Sequence, residues 1–240
     1  MRALRFIFGL SLLALCAAPT IFLLTLMLPF RAARVRVVGY LGGLISNLVM
    51  WTVRVRVTYV GEDRLAAAPA IYVANHTSTL DIFLFSASTP SATTVVMKKE
   101  MIWVPIVGQI GLLSGSLRID RKNLKAAKEG LAEIAELVRR HGFSMFVMPE
   151  GTRSRDGELQ PFKRGFVHLA IATGLPVVPM VFHGAKDCWP RDAVMPKPGN
   201  VTVEVLPAID TSGWRAEEAG AIADDLYRTF AEALGRRGCS

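Results

Sequence analysis

Cysteine is scarce in this chain, which contains only Cys16, Cys188 and Cys239 among its 240 residues. The number is odd, the three residues lie far apart, and no pair has Cys-x-x-Cys spacing. A disulfide framework and a cysteine-ligated zinc site are therefore both disfavoured. The pattern is typical of reduced thiols in a cytosolic setting.

Two common catalytic arrangements are also missing. The sequence contains no Gly-x-Ser-x-Gly elbow, which argues against a serine hydrolase of the α/β-hydrolase type. There are four histidines, and His141, His168 and His183 do not stand at metal-ligand spacing from His76. The sequence therefore predicts no metal site.

Acidic residues are fewer than basic ones, with 20 Asp and Glu against 28 Lys and Arg and a net charge of +8. This excess favours an anionic partner. Because the cations are scattered and no zinc-finger spacing, basic heptad region or aromatic sheet signature is present, nucleic acid is disfavoured. An acidic membrane surface and a phosphorylated substrate remain as alternatives.

A long uncharged run covers residues 6–30, which is enough to cross a bilayer core of about 30 Å. Small residues at positions 14–18 make a cleaved signal peptide an alternative, but the apolar run continues through residues 21–24 and so favours an uncleaved anchor. A weaker run over residues 37–53 predicts a second crossing, a re-entrant helix or an interfacial helix. Because basic residues flank both segments, two spans and a membrane hairpin both remain open.

The rest of the chain alternates short apolar runs with helical patterns. A boundary near Thr58 separates predicted N-terminal membrane-anchoring helices, residues 1–58, from a predicted second domain, residues 59–240. Buried strands are predicted at residues 70–74, 93–97, 143–148, 177–182 and 201–206, and helices at residues 124–138 and 222–234. This alternation predicts an α/β domain with a mixed, largely parallel sheet flanked by helices.

The sequence NHTSTLD, at residues 75–81, follows one of these strands and offers a base and a carboxylate. On a regular helix, side chains five positions apart point about 140° away from each other. His76 and Asp81 can meet if His76 lies in a strand-to-helix turn and Asp81 in the first helical turn, with residues 77–79 forming the turn and cap. Asp81 would then fix the imidazole tautomer and leave the other ring nitrogen as a base. The alternative is structural, with a helix-terminal charge and a satisfied loop histidine.

The sequence PEGTRS, at residues 149–154, follows another predicted strand. Gly151 permits a sharp turn and close approach of a ligand, and Arg153 suits bidentate phosphate binding. Glu150 either accepts backbone N–H groups and holds the turn or bonds a substrate hydroxyl. A surface turn with solvated charges is the alternative.

More cations lie in or next to predicted strands. GSLRIDR, at residues 115–121, alternates across a further predicted strand, and there Arg118 and Arg121 can both reach an anion, or Asp120 pairs locally with Arg121. Lys98 ends another predicted strand, where a solvated charge is the alternative.

Together with LPVVP at residues 175–179, these motifs form four blocks in one order. In that order and at these separations they resemble the glycerolipid acyltransferase family, and within it the 1-acyl-sn-glycerol-3-phosphate acyltransferases of bacterial type. The resemblance runs from about residue 59 to about residue 206. The chain departs from the family pattern at Met148, where Phe is usual, and at Met101, which follows Glu100 where the family has Glu-Leu.

The resemblance implies a role for each motif residue. His76 would be the general base and Asp81 its orienting partner. The residues implied in phosphate binding, or in shaping that pocket, are Lys98, Arg121, Glu150, Gly151 and Arg153. The acceptor hydroxyl would attack the thioester of acyl-CoA or acyl-acyl carrier protein directly, without an acyl-enzyme, a metal or a cofactor.

The implied product is phosphatidic acid, made in phospholipid biosynthesis at the inner membrane, with the catalytic domain on the cytoplasmic side where the acyl donor is found. Members of the family also acylate other lysolipids, including lyso-ornithine lipid and lysophosphatidylglycerol, so the acceptor stays open. A non-catalytic lipid-binding protein of the same fold is a further alternative. The sequence does not fix the acyl chain length, the donor or the oligomeric state.

Overall fold

The computed structural model describes residues 2–66, 69–98, 103, 107–115, 117–119 and 124–238. Within these residues the helices are α1 (Arg2–Leu26), α2 (Arg31–Thr52), α3 (Asp81–Ser88), α4 (Val107–Leu113), α5 (Leu124–His141), α6 (Gly165–Thr173), α7 (Ala185–Cys188) and α8 (Ala219–Gly238). The strands are β1 (Val55–Val60), β2 (Ile71–Ala74), β3 (Thr93–Lys98), β4 (Leu117–Ile119), β5 (Ser144–Val147), β6 (Val177–His183) and β7 (Gly199–Val205).

The strands form one sheet in the order β1-β7-β6-β2-β5-β3-β4. Neighbouring strands are parallel throughout, except that β6 and β7 are antiparallel. This arrangement confirms the predicted α/β class with a mixed, largely parallel sheet.

The central strands are buried on both faces, as a parallel sheet covered by helices requires. Side chains alternate between the faces of a strand, so each face of β2 packs into a different part of the core. Ile71 and Val73 face a cluster contributed mainly by α5, α6 and α8. Tyr72 and Ala74 face a second cluster that includes side chains from α2, α3 and α7. All four of these β2 residues are fully buried.

The two N-terminal helices are joined by a tight turn at residues 27–30. Both are long and apolar enough to cross a membrane, judged by length and composition alone. Helix α2 also packs against α3 and β3. Arg34 of α2 is buried and donates a hydrogen bond to the Leu113 carbonyl, and Arg31 forms an ion pair with Glu133 at 2.9 Å. Two arginines that flank the apolar run in the sequence therefore attach α2 to the α/β part of the chain.

The change from helix to sheet occurs earlier than the predicted boundary near Thr58. Helix α2 ends at Thr52, and β1 starts at Val55 and runs parallel to β7. Residue 58 therefore lies inside a strand, and residues 53–54 make the connection.

A substitution at Gly39 tests how closely α2 packs against the rest of the fold. A Cβ at Gly39 would lie 2.1 Å from the Ser91 carbonyl oxygen, whereas a Cβ at Gly235 in α8 would meet nothing within 4 Å. Alanine is otherwise favoured over glycine in a helix interior by about 1 kcal/mol. We expect Gly39→Ala to lower the thermal unfolding midpoint of the detergent-solubilised protein and Gly235→Ala to leave it unchanged or raise it. Equal stability of the two variants, followed by circular dichroism, would contradict the close packing of α2.

Candidate active site

Three loops meet at one edge of the sheet. They follow β2, β5 and β6, and β2 lies between the other two with parallel pairing to both. Because the carboxyl ends of parallel strands lie at the same edge, the loops that follow them are neighbours, and ligands of open α/β sheets bind there. The first loop leads into α3 and contains His76.

The side chains of His76 and Asp81 form a hydrogen-bonded pair. Asp81 is the first residue of α3 and its side chain has no exposed surface, whereas the His76 side chain is 23% exposed. His76 Nδ1 lies 2.8 Å from Asp81 Oδ2. Since the carboxylate accepts at Oδ2, the shared proton belongs on Nδ1, and the lone pair of Nε2 is available to a substrate. This arrangement is that of a general base with an orienting carboxylate.

The Asp81 carboxylate also organises the turn between β2 and α3. Its Oδ2 accepts hydrogen bonds from the backbone N–H groups of Thr77 and Ser78, each at 2.8 Å. Burial raises the pKa of the Asp81 carboxyl, and the hydrogen bonds from His76 and the two amides oppose that shift.

The predicted side-chain cap from residues 77–79 is absent, because Leu80 occupies the cap position without a side-chain hydrogen bond. Ser78 Oγ instead accepts from the Leu80 N–H at 2.9 Å.

Glu150 joins two loops through its carboxylate. Its side chain is buried, Oε1 accepts the His76 N–H at 2.6 Å, and Oε2 accepts the Gln160 N–H at 3.1 Å. Burial raises the pKa of Glu150 to about 7, and the two backbone donors oppose the shift. Of the two roles considered for Glu150, the geometry is that of a residue holding the turn, since backbone N–H groups occupy both oxygens.

Arg153 lies directly beside the loop that carries the dyad. Its Nη1 donates to Thr79 Oγ1 at 2.6 Å, and the next amide, Ser154 N–H, donates to the His76 carbonyl at 2.9 Å. Gly151 has a φ of 74°, a conformation that favours glycine, and this turns the chain back toward the dyad. The structure thus brings together His76, Asp81 and Arg153.

Two further predicted site residues cannot be placed in full. Lys98 is the last residue of β3, so its backbone lies at the same edge of the sheet as the three loops, and its side chain lies outside the described part of the structure. Arg121 lies outside the described residues altogether.

Sequence reasoning missed the third loop. The Trp189 carbonyl accepts hydrogen bonds from Ser78 Oγ at 2.6 Å and from the Thr79 N–H at 3.3 Å. Arg191 Nη1 donates to the Arg153 carbonyl at 2.6 Å. No sequence motif marks these residues. The sequence signal for their presence at the site is that they follow a buried strand, β6, which neighbours β2.

Asn75 also has an observed role that the sequence did not suggest. Its side-chain amide donates to the Phe182 carbonyl at 3.1 Å and accepts the Phe182 N–H at 2.8 Å. This pair of bonds ties the end of β2 to the end of β6, immediately before His76.

In the described ranges, no three His, Cys, Asp or Glu side chains are grouped so that they could hold a metal ion. What the site offers is an oriented imidazole beside a cationic loop. Such a pair can activate a hydroxyl group on a molecule that also carries an anion.

Comparisons with known proteins agree with this chemistry. The family model described as Acyltransferase matches residues 56–183, a span that contains both the His76–Asp81 loop and the Arg153 loop. The 1-acyl-sn-glycerol-3-phosphate acyltransferase of Cocos nucifera is 35% identical over 212 residues, covering 88% of this chain and 68% of the relative. The protein of the same name from Escherichia coli (strain K12) is 36% identical over 154 residues, covering 64% of this chain and 62% of the relative.

A solved structure has the same fold. The crystal structure of the 1-acyl-sn-glycerophosphate acyltransferase of Thermotoga maritima superimposes with a TM-score of 0.73, covering 98% of each chain at 22% sequence identity. Its fold therefore matches over almost the whole length, including the two N-terminal helices. The family match and the identity to the curated relatives lead to one assignment: this chain belongs to the acyltransferase family, the enzymes that include the 1-acyl-sn-glycerol-3-phosphate acyltransferases.

Proposed function

We propose that the protein transfers a fatty acyl group from acyl-CoA or acyl-acyl carrier protein to the sn-2 hydroxyl of 1-acyl-sn-glycerol 3-phosphate, giving phosphatidic acid. The observation that carries the proposal is the 2.8 Å contact between His76 Nδ1 and the buried Asp81 Oδ2, in a loop that also binds Arg153 through Thr79. The names of the relatives support the choice of acceptor.

The proposed reaction is direct acyl transfer with His76 as the base. The Nε2 atom takes the proton from the sn-2 hydroxyl as its oxygen attacks the carbonyl carbon of the thioester. When the tetrahedral intermediate collapses, the carbon–sulfur bond breaks and the imidazolium returns the proton to the thiolate. Asp81 stabilises the imidazolium while it exists. General-base assistance of this kind contributes roughly 10²–10⁴-fold to the rate.

The cysteines in the described part of the chain give little support to a covalent acyl-enzyme. The thiol of Cys188 is buried, and burial raises its pKa, which lowers the thiolate fraction needed for nucleophilic attack. Cys16 lies within α1. The proposed mechanism is direct transfer without an enzyme nucleophile, and neither a cofactor nor a metal is part of it.

The acceptor phosphate is proposed to bind Arg153, with Lys98 and Arg121 as further cations. A guanidinium group suits a phosphate because its N–H groups match two oxygens at once. Glu150 and Gly151 shape this pocket by holding the loop that presents Arg153, as the hydrogen bonds of Glu150 and the backbone angle of Gly151 suggest.

The proposed location is the inner membrane, with the catalytic domain on the cytoplasmic side. Helices α1 and α2 would anchor the protein, because their length and composition suit a membrane. Helix α2 packs directly on α3, the helix that begins with Asp81. An anchored α2 would hold the site next to the surface where an insoluble lysolipid is found.

The function is tested by thiol release from oleoyl-CoA, and from an acyl carrier protein thioester, by the detergent-solubilised protein. Lysophosphatidic acid, lysophosphatidylglycerol and lyso-ornithine lipid would be compared as acceptors. Release that depends on lysophosphatidic acid is the expected result. Release with another acceptor alone would keep the reaction and change the substrate, and no release with any pair would favour a lipid-binding protein without catalysis.

We expect His76→Ala to lower kcat by at least about 100-fold, because the variant lacks the base that accepts the hydroxyl proton. The measurement is thiol release at saturating donor and acceptor. His168→Ala is the matched control, because His168 is exposed on α6 and outside the candidate site. Near-normal turnover of a folded His76→Ala protein would contradict the assignment.

We expect Arg153→Ala to raise the KM for lysophosphatidic acid by roughly 10- to 100-fold, the range of a hydrogen bond to a charged group. The KM for the acyl donor should change little. Arg155→Ala removes an exposed charge from the same loop and serves as the control. If the acceptor KM of Arg153→Ala equals that of the control, Arg153 does not bind the phosphate.

A further inference from the structure

The loop after β6 contains a short Trp-Pro-Arg segment, residues 189–191, that contacts both motif loops. Its Trp189 carbonyl accepts from Ser78 Oγ and the Thr79 N–H, and Pro190 forms an isolated β-bridge with Ser78. At its other end, Arg191 binds the loop that carries Arg153. The Trp-Pro-Arg segment therefore closes a third side of the site.

Arg191 reaches Arg153 at its main chain. The Arg191 Nη1 donates to the Arg153 carbonyl at 2.6 Å, while the Arg153 Nη1 donates to Thr79 Oγ1 at 2.6 Å. Arg153 is thus held at both ends, by Arg191 through its backbone and by Thr79 through its guanidinium group. Fixing both ends lowers the number of positions that the Arg153 guanidinium group can adopt, and preorganised groups bind ligands at lower entropic cost.

The Trp-Pro-Arg segment is itself held firmly. The Trp189 ring stacks on Phe83 of α3, with ring centroids 6.2 Å apart, and meets the edge of Phe6 of α1 at 5.7 Å. Its Nε1 donates to the Ala193 carbonyl at 3.0 Å. A segment packed in this way can serve as a fixed support for Arg191.

The charges also favour an anion at this place. Arg153 and Arg191 are both half-buried, and in the part of the chain that the structure describes neither takes part in an ion pair. Neither guanidinium group therefore has a carboxylate partner among the described residues, although Arg191 donates to the Arg153 carbonyl. A bound phosphate would compensate both charges.

We propose that Arg191 is a positioning residue of the acceptor-phosphate site and that it acts through Arg153. This inference rests on the proposed function, because it concerns the phosphate of the acceptor lipid. Arg191 is not assigned a contact with the reacting atoms. Its effect is to hold the Arg153 backbone so that the guanidinium group of Arg153 faces the phosphate.

The test compares Arg191→Gln, Arg191→Lys, Arg153→Ala and the double variant Arg191→Gln with Arg153→Ala. We expect Arg191→Gln to raise the KM for lysophosphatidic acid by roughly 5- to 20-fold, at or below the low end of the range for a charge-assisted hydrogen bond because Arg191 acts only through Arg153, and to leave the donor KM unchanged. Arg191→Lys should recover part of the loss, because its ammonium group can donate to the same carbonyl. The double variant should be no worse than Arg153→Ala alone, since residues that act through one another are not additive.

A phosphate-free acceptor, 1-acylglycerol, separates positioning from general damage to the fold. A positioning role lowers kcat/KM for lysophosphatidic acid and leaves kcat/KM for 1-acylglycerol, measured at high enzyme concentration, at the wild-type value. Damage to the fold lowers both, and would overturn the proposal if Arg191→Lys behaves in the same way. Arg155→Gln, which removes an exposed charge from the Arg153 loop, is the matched control.

The remaining outcomes are also decisive. An unchanged acceptor KM in Arg191→Gln, or additive losses in the double variant, would overturn the inference while the wild-type activity keeps the proposed function. A wild-type protein that uses only lyso-ornithine lipid, which lacks a phosphate, would overturn both. If lysophosphatidylglycerol is the acceptor instead, the proposed function fails, and the same comparison of KM values with that phosphodiester decides the role of Arg191.

Discussion

The site depends on the buried carboxylate of Asp81 and on the hydrogen bonds that this carboxylate accepts. Removing a carboxylate from water is costly, and here three donors on one oxygen, from His76, Thr77 and Ser78, offset part of that cost. The same three bonds fix the imidazole and the turn that follows β2. Without the carboxylate, two buried amides would lose their acceptor, at about 1–3 kcal/mol each. The turn also carries Thr79, so the position of the Arg153 guanidinium group depends on the same carboxylate.

The sheet topology determines which loops meet at the site. Because β2 lies between β5 and β6 and is parallel to both, His76 and Arg153 come from loops far apart in sequence but adjacent in space. The amide of Asn75 aligns the ends of β2 and β6, and Glu150 ties the β5 loop to the His76 backbone. Helix α2 packs on α3, which begins with Asp81. A membrane-embedded α2 would therefore place the dyad close to the lipid.

Much of this could be read from the sequence, and the exceptions have physical causes. The runs that became β2, β5 and β6 are almost uniformly apolar, as strands buried on both faces must be, and the turn geometry of His76 and Asp81 follows from helix periodicity. The sequence does not predict strand β1, because this strand follows closely on an apolar helix. It does not predict α6 either, because that segment is too uniformly apolar to show the hydrophobic periodicity of a helix. Nothing local could reveal Arg191, since its contact with Arg153 depends on the neighbouring strand order and on Trp189 packing.

The most direct test of this account is the turnover of Asp81→Asn with oleoyl-CoA and lysophosphatidic acid. Asparagine has nearly the same shape and its carbonyl oxygen can still accept the Thr77 and Ser78 amides, but it carries no charge to stabilise the imidazolium. We expect a folded protein with an unchanged donor KM and a kcat lowered by at least about 100-fold. A kcat within about twofold of the wild-type value would mean that the hydrogen bond holds the turn without taking part in acyl transfer.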